Sequence, residues 1–279
     1  MTIRIVTDST CDLPSEVIKE HAIAVIPMLI HMGSEEYRDG IDLSREQFYE
    51  RLPGIKPAPT TAAPGQQVFH QTYERLTAEG ATEILSIHIS HKLSAVVDVA
   101  RQAAQETRAV QVTVFDSRQL SLGMGFEVEA AAQAVRAGHS MTEILALLEA
   151  QIARTHVFAA LDTLEYMRRG GRMNGAIAAL GGLLQVKPIL KMYQGDPTAE
   201  RVRTRAHASK RLKELLAECA PFERVALVHT DAESRAQALL EEVRAGLPGG
   251  EIWMQEINPV LGAHIGPGVV GFACTSAEK

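Results

Sequence analysis

A chain of 279 residues with 46% hydrophobic and 22% charged residues has the composition of a soluble globular protein large enough for two domains, and at that size it holds a core without a disulfide or a metal. A formal net charge of −6 argues against a nucleic-acid binder. Three widely spaced cysteines, Cys11, Cys219 and Cys274, with no CxxC pair, point to a reducing compartment and away from a zinc site.

Taken in order, the chain begins with a short apolar run, Ile3 to Val6, that ends in Thr7-Asp8-Ser9. A strand so early leaves no room for a signal peptide or lipidation motif, and a cytoplasmic protein with no integral membrane segment is expected. Pro14 suits the first turn of a helix. Ala24 to Met32 reads as one buried strand. Ser44-Arg45-Glu46-Gln47 is a capping box for a helix that Pro53-Gly54 ends. Pro57 to Pro64 is a stiff extended piece, because residues before proline avoid the helical region. Val68, Phe69, Tyr73 and Leu76 share one face of the next helix, stopped by Gly80.

Ile84 to Ile89 is a strand running into Ser90-His91-Lys92-Leu93-Ser94, with a helix from there to about Arg108. Val110 to Phe115 is another strand, ending in Asp116-Ser117, and an alanine-rich helix follows to Gly138. Ser140-Met141-Thr142-Glu143 is a second capping box. This alternation predicts an α/β fold, with a Rossmann-like N-terminal domain built on a largely parallel sheet. A second α/β domain is expected after it, the two spanning residues 1–160 and 161–279. Asp8-Ser9, Ser90 to Ser94 and Asp116-Ser117 all follow strands, where open parallel sheets bind ligands. Each can equally be a helix N-cap, but three at one sheet edge favour a polar site.

His156 to Leu161 is a strand. Beyond it, Arg168, Arg169 and Arg172 surround Gly170-Gly171, and Met173 to Val186 then carries no charge. That run is too short to span a membrane and lacks the polar face of a surface helix. A cationic turn beside an all-apolar segment suits a ligand with an anionic head and an apolar body; a buried helix after a basic loop is the plainer alternative. Arg201 to Lys213 is basic with no acid inside it. Val225 to His229, Ile252 to Ile257 and Val269 to Cys274 are strands, with a helix over roughly Glu233 to Ala245. His264 lies in a glycine-rich loop, Gly262 to Gly268, where the backbone can approach a ligand closely. His88 and His91 have no metal-like partners and read as structural. P-loop, nucleophile-elbow and HExxH motifs are missing, and Gly123-Met124-Gly125 is an incomplete dinucleotide fingerprint. Ser94, His264 and an aspartate could make a hydrolytic triad, although nothing in the sequence brings them together.

These residues, in their order and spacing, resemble the DegV family of bacterial fatty-acid-binding proteins, which includes the lipid-carrying subunits of fatty acid kinase. The resemblance covers the whole chain. It rests on Val6-Thr7-Asp8-Ser9, Val25-Ile26-Pro27, Thr61 with Pro64, Ile89-Ser90 with Leu93-Ser94, and Phe115-Asp116-Ser117. Gly170-Gly171-Arg172, Val186-Lys187-Pro188-Ile189, Arg203-Thr204 and Ala263 to Gly268 complete it. It implies one long-chain fatty acid buried between the two domains, with no other cofactor and no metal. The carboxylate would be held by Thr61, Ser94 and the amide of Ala95, with His264 nearby. It also implies a protein that is not itself a catalyst but presents the carboxylate to the catalytic subunit of a fatty acid kinase for acyl-phosphate formation, in the service of phospholipid synthesis. Arg172 and Arg203 match the arginines that serve that step. The family's Ser-Gln beside the threonine is Ala62-Ala63 here, and its Ser-Gly-Thr turn is Ser94-Ala95-Val96. A hydrolase or phosphotransferase acting on a small anionic substrate through Ser94 and His264 is the alternative.

Overall fold

The computed structural model describes residues 2–172 and 187–278. The uncharged run from Met173 to Val186 therefore lies outside the described residues. The first half runs β1 Ile3–Asp8, α1 Ser15–Glu20, β2 Ala24–Ile26, β3 Leu29–Met32, β4 Glu35–Arg38, α2 Arg45–Arg51, β5 Thr60–Ala62 and α3 Gln66–Ala78. It continues through β6 Glu83–His88, α4 Val96–Glu106, β7 Gln111–Asp116, α5 Ser121–Arg136 and α6 Met141–Ile152. The second half runs β8 Thr155–Ala160, α7 Glu165–Arg169, β9 Lys187–Tyr193, β10 Asp196–Val202 and α8 Arg205–Glu218. Then come β11 Phe222–Thr230, α9 Glu233–Val243, β12 Trp253–Glu256, α10 Pro259–Ile265 and β13 Val269–Ser276.

The expected parallel sheet is present, in the order β2-β1-β6-β7 with every pairing parallel. Both faces of such a sheet must be covered, and α4 and α5 both pack against its strands. The second sheet is mixed, in the order β10-β9-β8-β13-β11-β12, and only β11 and β12 run parallel. Its strands alternate with period two between two cores. Val157, Ala159, Ala226, Val228 and Ala273 face the core shared with the first half. Phe158, Ala160, Val225, Leu227 and Phe272 face a separate core closed by Leu212 and Leu216 of α8 and Leu239 of α9.

Helix α5 lies between the sheets, touching β1 and β6 on one side and β8 and β13 on the other. That position needs a helix without a polar face, and twelve of its residues are buried. It also needs thin residues. A Cβ on Gly125 would press on the Cys11 carbonyl, 2.6 Å away, and one on Gly123 on the Val157 side chain, 2.5 Å away. The incomplete dinucleotide fingerprint is thus a packing feature.

One expectation changes and two strand features are added. Ala24 to Met32 is not one strand: after Pro27 the chain leaves the parallel sheet and enters a small antiparallel one, β4-β3-β5. The extended Pro57–Pro64 piece supplies β5 to that sheet, with Thr61 opposite Ile30. The β9–β10 hairpin was not foreseen. Its two-residue turn, Gln194-Gly195, has positive φ at both positions, 49° and 83°, the primed geometry that matches strand twist.

One buried charge ties these layers together. Asp12 is 1% exposed. It accepts from Ser121 Oγ of α5 (2.6 Å), from Asn258 N and Nδ2 ahead of α10 (2.9 and 3.1 Å), and pairs with Arg45 of α2 at 3.1 Å. Burial raises its pKa, with Arg45, Ser121 and Asn258 pulling the other way. Removing one member of a buried pair strands the others. Asp12→Ala is therefore expected to cost about 3–5 kcal/mol in urea unfolding; a loss under about 1 kcal/mol would show that the knot is not a structural support.

Candidate ligand site

A cavity of about 400 Å³ opens between the carboxyl edge of the parallel sheet and the inner face of the mixed sheet. This is within the range of small-molecule sites, about 300–1,000 Å³. Its wall is mostly apolar. Val157, Ala159 and Leu161 line it at every second position, as do Leu190 and Met192, while Leu120 of the loop before α5 and Val260 of α10 close other sides. Ala62 and Ala63 also face it, so the wall beside the threonine is bare, as the departure of these two residues from the family pattern implies.

Four of the polar side chains singled out in the sequence, Thr61, Ser94, His264 and Arg172, line this cavity. Thr61 Oγ1 is 2.8 Å from His264 Nε2. His264 is not on a loop: it occupies the last turn of α10, which Asn258 caps and Pro259 begins. Two glycines flanking it have packing roles. Gly262 makes room for Tyr49, whose hydroxyl donates to the Ile257 carbonyl at 2.8 Å, and Gly266, at φ 76°, receives the ring of Tyr166. Burial lowers the pKa of His264 to about 4, and the positive Arg172 adds to this. The imidazole is therefore neutral at physiological pH.

Ser94 holds the N-terminal turn of α4, its Oγ accepting weakly from Val96 N at 3.4 Å. Ala95 takes φ −79° and ψ 2°, a conformation open to any L-residue, so the missing glycine costs no strain. Ala95 is exposed and stands one residue beyond the lining. Arg172 is exposed and its guanidinium donates to the Gly170 carbonyl at 3.2 Å. Arg203 is exposed just past β10 and is not part of the lining.

The other two polar turns are occupied by the fold itself. Asp8 is buried and accepts from Thr10, Ile89 N and the Nδ1 of His88. His88 passes the chain on to Ser86 and Tyr73. Burial alone would raise the pKa of Asp8, but His88, Thr10 and Ile89 outweigh it and lower it. Asp116 meets His91 and the amide of Arg118. Capping and bridging thus account for two of the three turns, and only Ser90–Ser94 reaches the cavity. The triad is not formed either. Among the described residues His264 Nδ1 has no hydrogen-bond partner, so no carboxylate orients the ring as a general base requires.

Thr10, Lys191 and Thr198 also line the cavity and were missed, and Lys92 lines it from within the Ser90–Ser94 turn. Lys92 pairs with Asp196 and Lys191 with Glu200, so their charges are spent. Four of the six bases in the block are likewise paired: Arg205 with Asp162, Lys210 with Glu214, Arg211 with Glu200 and Glu218, and Lys213 with Glu242. Among the described residues no three His, Cys, Asp or Glu side chains group as a metal site, and no helix is long and apolar enough to cross a membrane.

The family model described as "Uncharacterised protein, DegV family" matches residues 2–277. The chain belongs to the DegV family. A DegV domain-containing protein of Streptomyces coelicolor is 36% identical to it, over 98% of both chains. Protein DegV of Bacillus subtilis is 34% identical, over 97% of this chain and 98% of its own. Among solved structures, a DegV family protein from Thermus thermophilus, reported for its fatty acid binding, aligns with a TM-score of 0.90 at 34% identity, over 99% of this chain and 100% of that one. Bacillus subtilis DegV, described as a fatty acid binding protein, aligns at 0.91 with 33% identity over 99% of both. The fold that joins the parallel and the mixed sheet is therefore the DegV fold.

The neutral His264 makes stability depend on pH. Its ordinary pKa is 6.5 and its folded value about 4. Between these values the unfolded chain binds a proton that the folded chain refuses. Its contribution is whole above pH 6.5 and is lost as pH falls toward 4, on the order of 3 kcal/mol. Asp39, which burial pushes up to about 7 from 3.8, acts in the opposite sense, losing its contribution as pH rises through 7. Comparison with His264→Gln isolates the histidine. The variant should lose less stability than the wild type on acidification; equal losses in urea unfolding across this interval would contradict a neutral, desolvated imidazole.

Proposed function

We propose that the protein binds one long-chain fatty acid in this cavity, between a first domain built on the parallel sheet and a second that begins with β8 at Thr155, a few residues before the boundary at 160 and 161 expected from the sequence. The acid group lies against Thr61, Ser94 and His264, within reach of the amide of Ala95, and the alkyl chain lies along the apolar wall. The observation that carries this reading is the hydrogen-bonded Thr61–His264 pair set into a mostly apolar cavity. The fatty acid binding described for the Thermus and Bacillus relatives supports it. Burying ~15 methylenes at about 0.8 kcal/mol each is worth on the order of 12 kcal/mol gross. Lost freedom on association removes a large share. A desolvated carboxylate must be met by donors, and hydroxyl donors are what Thr61 and Ser94 offer.

In this reading the chain is a carrier and not a catalyst, and it presents the carboxylate to a partner fatty acid kinase. Two observations support the second step. Arg172 is exposed while lining the cavity beside His264. Arg203 is exposed and, among the described residues, has no ion-pair partner. Planar, permanently charged guanidinium groups suit a transferring phosphoryl group.

Calorimetric titration of delipidated protein with palmitate and oleate should saturate near one equivalent; no saturable binding would refute the reading. Hydrogen bonds to a charged group are worth roughly 1.5–3 kcal/mol, so Thr61→Ala and Ser94→Ala should each weaken binding by about one to two powers of ten with the fold intact. Wild-type affinity in both would place the acid group elsewhere. Arg172→Ala and Arg203→Ala should keep lipid affinity within a few-fold and lose most acyl-phosphate formation with a fatty acid kinase and ATP. Lys210→Ala, paired with Glu214 on α8, should lose little. Equal phosphorylation in all three would remove the kinase role, and loss of lipid in the arginine variants would move those side chains into the acid-binding site.

A further inference from the structure

The ring nitrogen of His264 that faces away from Thr61 is the unexplained atom of the site. Nδ1 is buried and, among the described residues, has no hydrogen-bond partner. What it meets is Gly170. A Cβ placed on Gly170 would lie deep inside contact distance of Nδ1 and 2.9 Å from the neighbouring Cε1. The ring therefore rests on the bare Cα of Gly170. The same turn is held down by Tyr166, which packs into the space left by Gly266, and by Gly170 N donating to the Tyr166 carbonyl at 2.8 Å. Gly170 itself has φ −78° and ψ −1°, where alanine is at no disadvantage. Its lack of a side chain is thus required by the neighbouring ring and not by its own backbone.

This contact distinguishes the two neutral tautomers. A proton on Nδ1 would point at C–H groups, a buried donor with nothing to accept it, which is costly. A lone pair there faces the Cα–H of Gly170, a weak but favourable contact. The proton then sits on Nε2, where Thr61 Oγ1 is in range. A neutral imidazole carries only one N–H. With Nε2–H donating to Oγ1, the threonine's own O–H is left free to donate elsewhere. With the opposite tautomer Thr61 would donate to Nε2 and offer a ligand only lone pairs, which repel a carboxylate.

We propose that Gly170 is a positioning residue that fixes His264 as the Nε2–H tautomer and so turns the Thr61 hydroxyl into a donor aimed at the ligand's acid group. Its last step rests on the fatty-acid reading; the tautomer does not. The relay runs from the backbone of the α7 turn through the imidazole to the threonine, and it ties the Gly170-Gly171-Arg172 motif to the acid site by way of its first glycine.

Nitrogen-15 NMR of histidine-labelled, delipidated protein at neutral pH tests this. His264 is assigned by the signal lost in His264→Gln. The expected spectrum has Nε2 in the protonated, pyrrole-like range and Nδ1 in the unprotonated, pyridine-like range. Protonated Nδ1, or the averaged shifts of a free histidine, would overturn the proposal in the wild type alone. Gly170→Ala should displace the ring, give averaged shifts and weaken palmitate binding about tenfold. A folded Gly170→Ala protein with the wild-type signature would also overturn it. Palmitate calorimetry on the wild type separates the two claims. Binding with the wrong tautomer sinks the relay alone, and the right tautomer without binding sinks the fatty-acid reading alone.

Discussion

A carboxylate that is removed from water must be met by donors, and Asp12 shows how much of a fold that requirement can organise. Its donors come from α2, from the start of α5 and from the residue that caps α10. Those three elements are far apart in sequence. Once they meet at Asp12, the cavity has its geometry: α5 sits between the sheets, and α10 is pinned at its N-terminus so that its last turn delivers His264 to Thr61. Arg45 extends the knot, since its guanidinium also donates to the Glu256 carbonyl at the end of β12.

The same requirement recurs in the cavity, with the opposite answer. On the proposed reading the site receives a charge from outside and meets it with hydroxyl and imidazole donors. His264 is held neutral by burial, and the charged Arg172 stays exposed at the edge. Lys92 and Lys191, which also reach the lining, are each bound to an acid on β10. A neutral cradle with a cation at its rim lets an acid group enter without stranding an unpaired buried charge when the site is empty.

Much of this was legible in the sequence. Strand-turn-helix alternation gave the parallel sheet, because buried parallel strands read as continuous apolar runs, while the capping boxes at Ser44 and Ser140 marked the starts of α2 and α6. Thr61, Ser94 and His264 were singled out and do share one cavity. What failed did so for physical reasons. Pro27 splits one apolar run between two sheets, and sheet membership has no local signature. The β9–β10 hairpin turns on Gln194-Gly195, a weak form of the usual Asn-Gly signal. Glycines around His264 read as a loop because their use, admitting Tyr49 and Tyr166 against α10, is visible only in three dimensions. Asp8 and Asp116 looked like site residues because capping and ligand binding use the same side chains.

The most direct test of the central claim is carbon-13 NMR of palmitate labelled at its carboxyl carbon, titrated into delipidated protein. The account expects a single bound carboxyl resonance that saturates at one equivalent, keeps its position from mildly acid to mildly alkaline pH, and moves in Thr61→Ala. A resonance that titrates like the free acid, or that is indifferent to Thr61, would mean that the acid group is not held where the Thr61–His264 pair lies, and the account would be wrong.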